Sequence, residues 1–269
     1  MGYFDFFLMH AQDAESFKHF KACRAYEAAF ALKAEGKVRH VGMTFYDRAE
    51  VLNQILNECP QIEVVQIQLN YVDFEDPMVQ SRACYEVCRK HGKPVIVMKP
   101  FKGGRLVDLS EQAKTVLNDL HGGSAANYAI RFAAGFPGIM MVLSGMSNLS
   151  QMQDNLGYMK DLKLLDEWEM NAVKRVQEIF KSMNLIPCTA CRYCTAGCPK
   201  HVSVPDLAAA MNARQTHHDW NADYYYDIHT CDGRRASDCI KRGKREKGCP
   251  QHLHIRDLPQ DVAKEFEKA

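Results

Sequence analysis

Val64-Val-Gln-Ile-Gln-Leu-Asn70 alternates apolar and amide side chains, with Val65, Ile67 and Leu69 on one side and Gln66 and Gln68 on the other. A period of two marks a strand, so the two glutamines share one face. On a closed barrel that face is the interior, where a buried polar pair needs hydrogen-bond partners.

The segments on either side repeat a strand and helix rhythm. Tyr3 to Met9 reads as a buried strand that emerges at His10, and Ser16 to Ala34 as a helix stopped by Gly36. Val38 to Met43, Pro94 to Met98 and Ile139 to Leu143 read as further strands. Helices are expected over Arg48 to Asn57, Pro77 to His91, Ala125 to Ala134 and from Ser150 to Tyr158, with a partly irregular one over Leu106 to Leu120. Asp166 to Lys181 reads as a solvated helix covering the sheet. Strands alternating with helices predict an α/β fold with parallel pairing through crossovers.

In such sheets chemistry collects at the carboxyl ends of the strands. The residues there are His10, Thr44, Gln66 with Gln68 and Asn70, Lys99 and the Ser144-Gly145 turn. A lone histidine ending a strand has a structural reading beside a catalytic one. Lys102-Gly103-Gly104-Arg105 reads either as a solvated turn or as a loop whose backbone N–H groups cradle an anion.

Beyond residue 185 the character of the chain changes. Four of its eleven cysteines, Cys23, Cys59, Cys84 and Cys88, are scattered through the first half; the other seven follow residue 187. Cys84 and Cys88 stand four apart on an expected helix, as two core-facing thiols would. Cys188-Thr-Ala-Cys191-Arg-Tyr-Cys194-Thr-Ala-Gly-Cys198-Pro199 has three cysteines at steps of three and a fourth followed by proline. That spacing lets one loop wrap a 4Fe-4S cube, its thiolates turned inward. Zinc sites usually pair distant Cys-x-x-Cys units, and disulfide frameworks belong to small secreted chains, so both are weaker readings.

The 269 residues carry 46% hydrophobic and 25% charged side chains and a formal net charge of +1, enough apolar material for a sizeable core. The charge predicts neither nucleic-acid nor membrane association. No apolar run approaches the roughly 20 residues that span a bilayer. The start, Met1-Gly-Tyr-Phe-Asp5, lacks the basic region of a signal peptide. The expected setting is cytoplasmic and reducing.

The stretches Tyr3 to His10, Ala34 to Thr44, Gln66 to Asn70, Val97 to Gly104 and Val142 to Ser147 resemble successive βα units of the aldo-keto reductases, in the branch with a ferredoxin-like tail. The resemblance implies a partial TIM-type (β/α)8 barrel, about the last five βα units, over residues 1–183. A small α-helical ferredoxin-like domain is expected over 184–269. It further implies nicotinamide-dependent hydride transfer to or from a small carbonyl or alcohol. His10 matches the histidine that orients the carbonyl, and Thr44 and Gln66 the positions that hold the nicotinamide carboxamide. Met98 matches the position that packs on its ring, Lys99, Gly103 and Gly104 the pyrophosphate loop, and Gly145, Ser147 and Asn155 the adenosine end. Phe45 stands where the family usually has asparagine. Gln151 and Gly145 occupy positions that often carry cations beside a 2'-phosphate, so the cofactor is NADP or NAD.

The five strands correspond by resemblance to the fourth to eighth of the barrel, so the chain is expected to be truncated at its amino end, lacking the units that carry the family's catalytic tyrosine, aspartate and lysine. In the tail the resemblance implies two cysteine runs whose fourth members serve each other's cluster. The second run, Cys239-Ile-Lys-Arg242-Gly-Lys-Arg245-Glu-Lys-Gly-Cys249-Pro250, has arginines at its middle positions. One complete set survives, Cys188, Cys191, Cys194 and Cys249, with Cys198 and Cys239 as a remnant; Cys231 is out of register, and Cys198 completing the first site is the local alternative. One 4Fe-4S cluster and a redox protein partner are therefore expected. The basic run Lys241 to Lys247 reads as a decayed cluster loop, and His217, His218, Trp220 and Tyr224 to Tyr226 as packing and surface residues. The rival functional readings are a non-catalytic iron-sulfur protein and an inactive fragment.

Overall fold

Five strands, β1 (Phe4–Gln12), β2 (Val38–Phe45), β3 (Val64–Gln68), β4 (Val95–Met98) and β5 (Ile139–Val142), form one parallel sheet in the order of the chain. An order without reversal is the topology of a barrel wall, since a doubly wound sheet has a point where the order turns back. The structure is a computed structural model describing residues 2–76, 79–120, 122–183, 185–196, 198–217, 221–230, 234–243, 246 and 248–267. The chain divides into two compact units, Met1–Val107 with Leu120–Val173, and Asp108–Asp119 with Lys174–Ala269.

In the first unit the central strands are packed on all sides, with Val41, Met43, Val65, Val95 and Val97 excluded from solvent. The register stacks Leu8, Gly42 and Val64 in one row and Thr44, Gln66 and Ile96 in another. Gly42 is required by proximity. A Cβ there would lie 2.4 Å from Val64 Cγ1, 2.5 Å from Val64 O and 2.7 Å from Leu8 Cδ2. The outer strands differ from the centre. Phe4, Phe6 and Phe7 of β1 and Met140 and Met141 of β5 are exposed, Phe4 by 64%.

Asp13 caps α1 (Ala14–Ala22) by accepting from Ser16 N at 2.7 Å. The single helix expected from Ser16 to Ala34 is in fact two, because Arg24 adopts φ 57° and restarts the chain as α2 (Ala25–Ala34). Then follow α3 (Ala49–Glu58), with Leu52, Ile55 and Leu56 inward, and α4 (Ser81–Lys90). Cys84 and Cys88 of α4 face the core; burial pushes the Cys84 thiol up to about 12 and raises that of Cys88 too. Such thiols stay protonated and inert. The expected start of this helix at Pro77 lies outside the described residues.

Ser110 caps α5 (Glu111–Asn118), which is shorter than the expected Leu106 to Leu120. Next come α6 (Ala125–Ala134), α7 (Leu149–Met159) and α8 (Glu167–Ser182). Arg131 of α6 grips Glu169 of α8 through two 2.7 Å bonds, a bidentate pair that fixes orientation as well as distance. Phe132, next to Arg131 in sequence, packs with Phe74 and Phe136, and Phe74 stacks on Phe136 at 4.9 Å.

The second unit contains α9 (Val204–His217), α10 (Asn221–Thr230), a 3-10 turn (Ala236–Asp238) and α11 (Leu258–Phe266). Val202, Leu207, Ala210, Tyr226, Ala236 and Val262 form its main apolar cluster together with Cys198. The Tyr226 ring stacks on Phe266 at 4.8 Å, a packing role for that tyrosine. His218, Trp220, Cys231, Lys244, Arg245 and Lys247 lie outside the described residues, as do the side chains of His217, Tyr224 and Tyr225. Among the described residues no helix is long and apolar enough to cross a membrane.

Two outcomes follow from the sheet. Gly42→Ala should lower stability by about 1–3 kcal/mol through overpacking, read as a reduced urea midpoint with unchanged slope. Glu63, just before β3, accepts from Val41 N at 3.0 Å and pairs with Lys33 at 2.5 Å and His40 at 3.1 Å. Partial burial opposes its ionisation, but Lys33, the Val41 N–H and His40 outweigh this and hold its carboxyl at about 2. A depressed folded pKa stabilises fully above the ordinary carboxylate value near 4.5 and loses that contribution as pH falls towards 2. The difference in urea midpoint between the native chain and Glu63→Gln should therefore be clear at neutral pH and shrink through that acid window.

Candidate functional site

At the carboxyl ends of the strands the register sets Thr44 beside Gln66 and Gln68 beside Met98. Because alternate residues of a strand point the same way, all four share one face. Gln66 Nε2 donates to Met98 Sδ at 3.3 Å. Strand β1 is irregular between Met9 and Gln12, where Ala11 takes φ 49°. That kink lets Ala11 N donate to Thr44 Oγ1 at 2.7 Å and leaves His10 Nδ1 3.4 Å from the same hydroxyl. His10 is exposed, while Thr44 is buried. The Tyr46 ring meets the His10 ring edge-on at 6.4 Å, and Lys99 Nζ stands 5.9 Å from the Tyr46 centroid. Tyr46 was not foreseen from the sequence, though it lies two residues beyond Thr44.

Behind these ends lies a charge pair shut off from water. Asp73 and Lys102 are 1% and 3% exposed and joined by a short bond from Lys102 Nζ to Asp73 Oδ1. Gln68 Nε2 and Asn70 Nδ2 each donate to Asp73 Oδ2 at 2.7 Å, and Asp73 N donates to Asn70 Oδ1 at 2.9 Å. The glutamine of β3 thereby finds the partner its burial demands. The solvated-turn reading of Lys102 is wrong: its ammonium is folded inward by the need to answer a buried carboxylate. Asp73 also escaped the sequence reading; its signal was Asn70 three residues earlier, the spacing of a side chain bonding a backbone N–H.

The following loop runs through left-handed conformations at Lys99, Lys102, Gly103 and Gly104, with Asn70 Nδ2 donating to Lys99 O at 3.2 Å. A Cβ on Gly104 would meet nothing within 4 Å, and the same holds at Gly145. Both backbones border open space that a ligand can approach closely. Near Gly145, Asn155 is buried and spends its amide on the protein, donating to Ser144 Oγ at 2.7 Å and accepting from Tyr158 OH. It braces the turn. Ser147 N donates to Gln151 Oε1 at 2.7 Å, so Gln151 caps this loop.

The cysteines of the helical unit fall into two groups. Cys188, Cys191, Cys194 and Cys249 line one narrow cavity with Val204, Pro205, Leu253 and Ile255. Cys198 and Cys239 line another. Left-handed turns at Ala190 and Arg192 bend the first loop between its cysteines, and Asn212 of α9 pins Ile186 by two 2.8 Å bonds. A repeat not noticed in the sequence frames both groups: Cys198-Pro-Lys-His-Val-Ser-Val-Pro-Asp-Leu207 and Cys249-Pro-Gln-His-Leu-His-Ile-Arg-Asp-Leu258. In each, the histidine is left-handed and its N–H bonds the cysteine carbonyl, at 3.1 Å for His201 and 3.0 Å for His252. Among the described residues no two cysteines are joined in a disulfide, and no three His, Cys, Asp or Glu are grouped to hold a single metal ion.

Comparison with known proteins agrees with this architecture. The family model described as Aldo/keto reductase family matches residues 1–178. Among solved structures, the chain is similar to the aldo-keto reductase AKR11C1 from Bacillus halodurans in its holo form, with TM-score 0.53 and 17% identity over 65% of this chain and 62% of that one. It is also similar to the thermostable aldo-keto reductase Tm1743 in complex with the inhibitor epalrestat, with TM-score 0.51 and 19% identity over 65% of this chain and 61% of that one. The chain thus spans less than two thirds of either structure, and the likeness is one of fold. A search among curated proteins finds no match.

The buried pair is open to a direct test. Asp73→Ala should cost about 3–5 kcal/mol by stranding the Lys102 ammonium, and adding Lys102→Met should recover part of that loss. Urea midpoints of the two single variants and the double variant measure the coupling.

Proposed function

The chain belongs to the aldo/keto reductase family, and from this we propose an oxidoreductase that exchanges hydride between a nicotinamide dinucleotide and a small carbonyl or alcohol, carrying one 4Fe-4S cluster in residues 184–269. The observation that supports the catalytic half is the single face shared by Thr44, Gln66 and Met98, with His10 at its rim. In this reading Thr44 and Gln66 hold the carboxamide and Met98 packs on the ring. Lys99, Gly103 and Gly104 border the pyrophosphate, and Gly145, Ser147 and Asn155 the adenosine. The open space beside Gly104 and Gly145 fits such a ligand. Lys102 is committed to Asp73, so phosphate contacts there rest on backbone N–H groups. No cation stands at Gln151 or Gly145 to select a 2'-phosphate, and NADP and NAD both remain in the proposal.

When bound, the dinucleotide supplies or accepts the hydride. His10 orients the carbonyl, and Tyr46, grouped with His10 and Lys99, gives the oxygen its proton. Residues 1–183 then correspond to the last five βα units of a barrel.

For the cluster, the supporting observation is that four thiols line one narrow cavity, beside the apolar Val204, Pro205, Leu253 and Ile255 and the polar Thr189, Arg192 and Gln251. A cube takes one thiolate per iron, so its ligands are spread more widely than those of a single ion. Cys198 and Cys239 are the remnant of a second site. A redox protein would be the electron partner, and the reducing cytoplasm the setting.

Anaerobic iron and acid-labile sulfide analysis, with cofactor titration on the same sample, tests both halves. About four irons per chain are expected, lost in Cys191→Ser and retained in Cys239→Ser. Tyr46→Phe should lower turnover by about 10²–10⁴ while cofactor affinity is unchanged. Iron without cofactor binding would instead identify a non-catalytic iron-sulfur protein, and an iron-free anaerobic preparation would remove the cluster.

A further inference from the structure

The cavity lined by Cys198 and Cys239 measures about 250 Å³ and carries an unusual wall. Lys241, Arg242 and Arg256 border it, and among the described residues no carboxylate does. Arg256 Nε is answered by Glu246 at 2.9 Å. Lys241 and Arg242 have no acidic partner among the described residues, so two positive charges meet at one concave surface. The lining also includes the apolar Ala196, Pro199, Ile240 and Ile255 and the ring-bearing Tyr193.

We propose that this cavity is a binding site for a small organic monophosphate, its phosphate held by Lys241 and Arg242 and its apolar body by Tyr193, Ile240 and Ile255. The charge decides against a metal, because two thiols beside unanswered cations repel a further cation, and arginine has no lone pair to donate. It decides for an anion near −2, the charge a phosphate monoester carries at neutral pH. The Arg242 guanidinium fork matches two phosphate oxygens, and the Lys241 ammonium serves as a point charge. The volume lies just below that of drug-sized pockets, which selects a compact ligand over a dinucleotide. The site stands on the helical unit alone and is independent of the reaction proposed for the barrel.

Cys239 gives the cavity its own reporter. The full chain, purified anaerobically, is treated with neutral iodoacetamide, and alkylation is followed residue by residue by mass spectrometry. Phenyl phosphate is the probe, and exposed Cys23 is the internal control. Phenyl phosphate should slow Cys239 alkylation saturably and leave Cys23 unchanged, whereas phenol should protect neither. Lys241→Gln with Arg242→Gln should raise the half-protecting concentration by roughly tenfold or more, and Arg242→Lys alone by less. Absence of protection by millimolar phenyl phosphate, or protection indifferent to the double substitution, overturns the site. Equal protection by inorganic phosphate overturns the assignment of an organic ligand.

Discussion

The carboxylate of Asp73, taken out of water, sets the conformation of everything around it at the carboxyl end of the sheet. An unanswered buried charge is too costly to keep, so its donors are compelled: two amides from Gln68 and Asn70 and the ammonium of Lys102. To deliver that ammonium the loop after β4 must turn sharply, which accounts for left-handed residues at Lys99 and Lys102 that ordinary side chains avoid. The same turn puts Gly104 against open space and leaves Lys99 near Tyr46. A single desolvated group thereby shapes the surface where a ligand would lie, without touching it.

In the helical unit the comparable constraint is a backbone turn used twice. Cys198 and Cys249 each lead through proline to a left-handed histidine, then to an apolar pair and an aspartate-leucine step. The two copies place Val204 and Ile255 in equivalent positions, and both line the cavity with four thiols. Ile255 also borders the second cavity, where arginine and lysine stand beside the two remaining thiols. Equivalent frames therefore hold different contents, one with four thiols and a single arginine, the other with two thiols and three basic side chains.

Much of this was legible in residue order. The period of two in Val64 to Asn70 is local, so it located β3 and the shared face of Gln66 and Gln68 without any knowledge of partners. Chain-order pairing of five short apolar runs followed from the helices between them. What could not be read depends on neighbours distant in sequence. The break at Arg24 has no proline or glycine to announce it, and nothing in Lys102-Gly103-Gly104 reveals a carboxylate 29 residues earlier. Tyr46 was passed over because its grouping with Lys99 is created by two different strand ends.

The outer strands carry a different kind of consequence. Among the described residues, strands β1 and β5 each pair on one side only and expose Phe4, Phe6 and Phe7, or Met140 and Met141, with Leu143 just beyond β5 exposed as well. Unpaired ladders with apolar side chains attract any extended segment of matching register. A surface that covers them, from the same chain or another, adds its binding free energy to that of folding. Were that surface on a separate molecule, the unfolding midpoint would rise with its concentration.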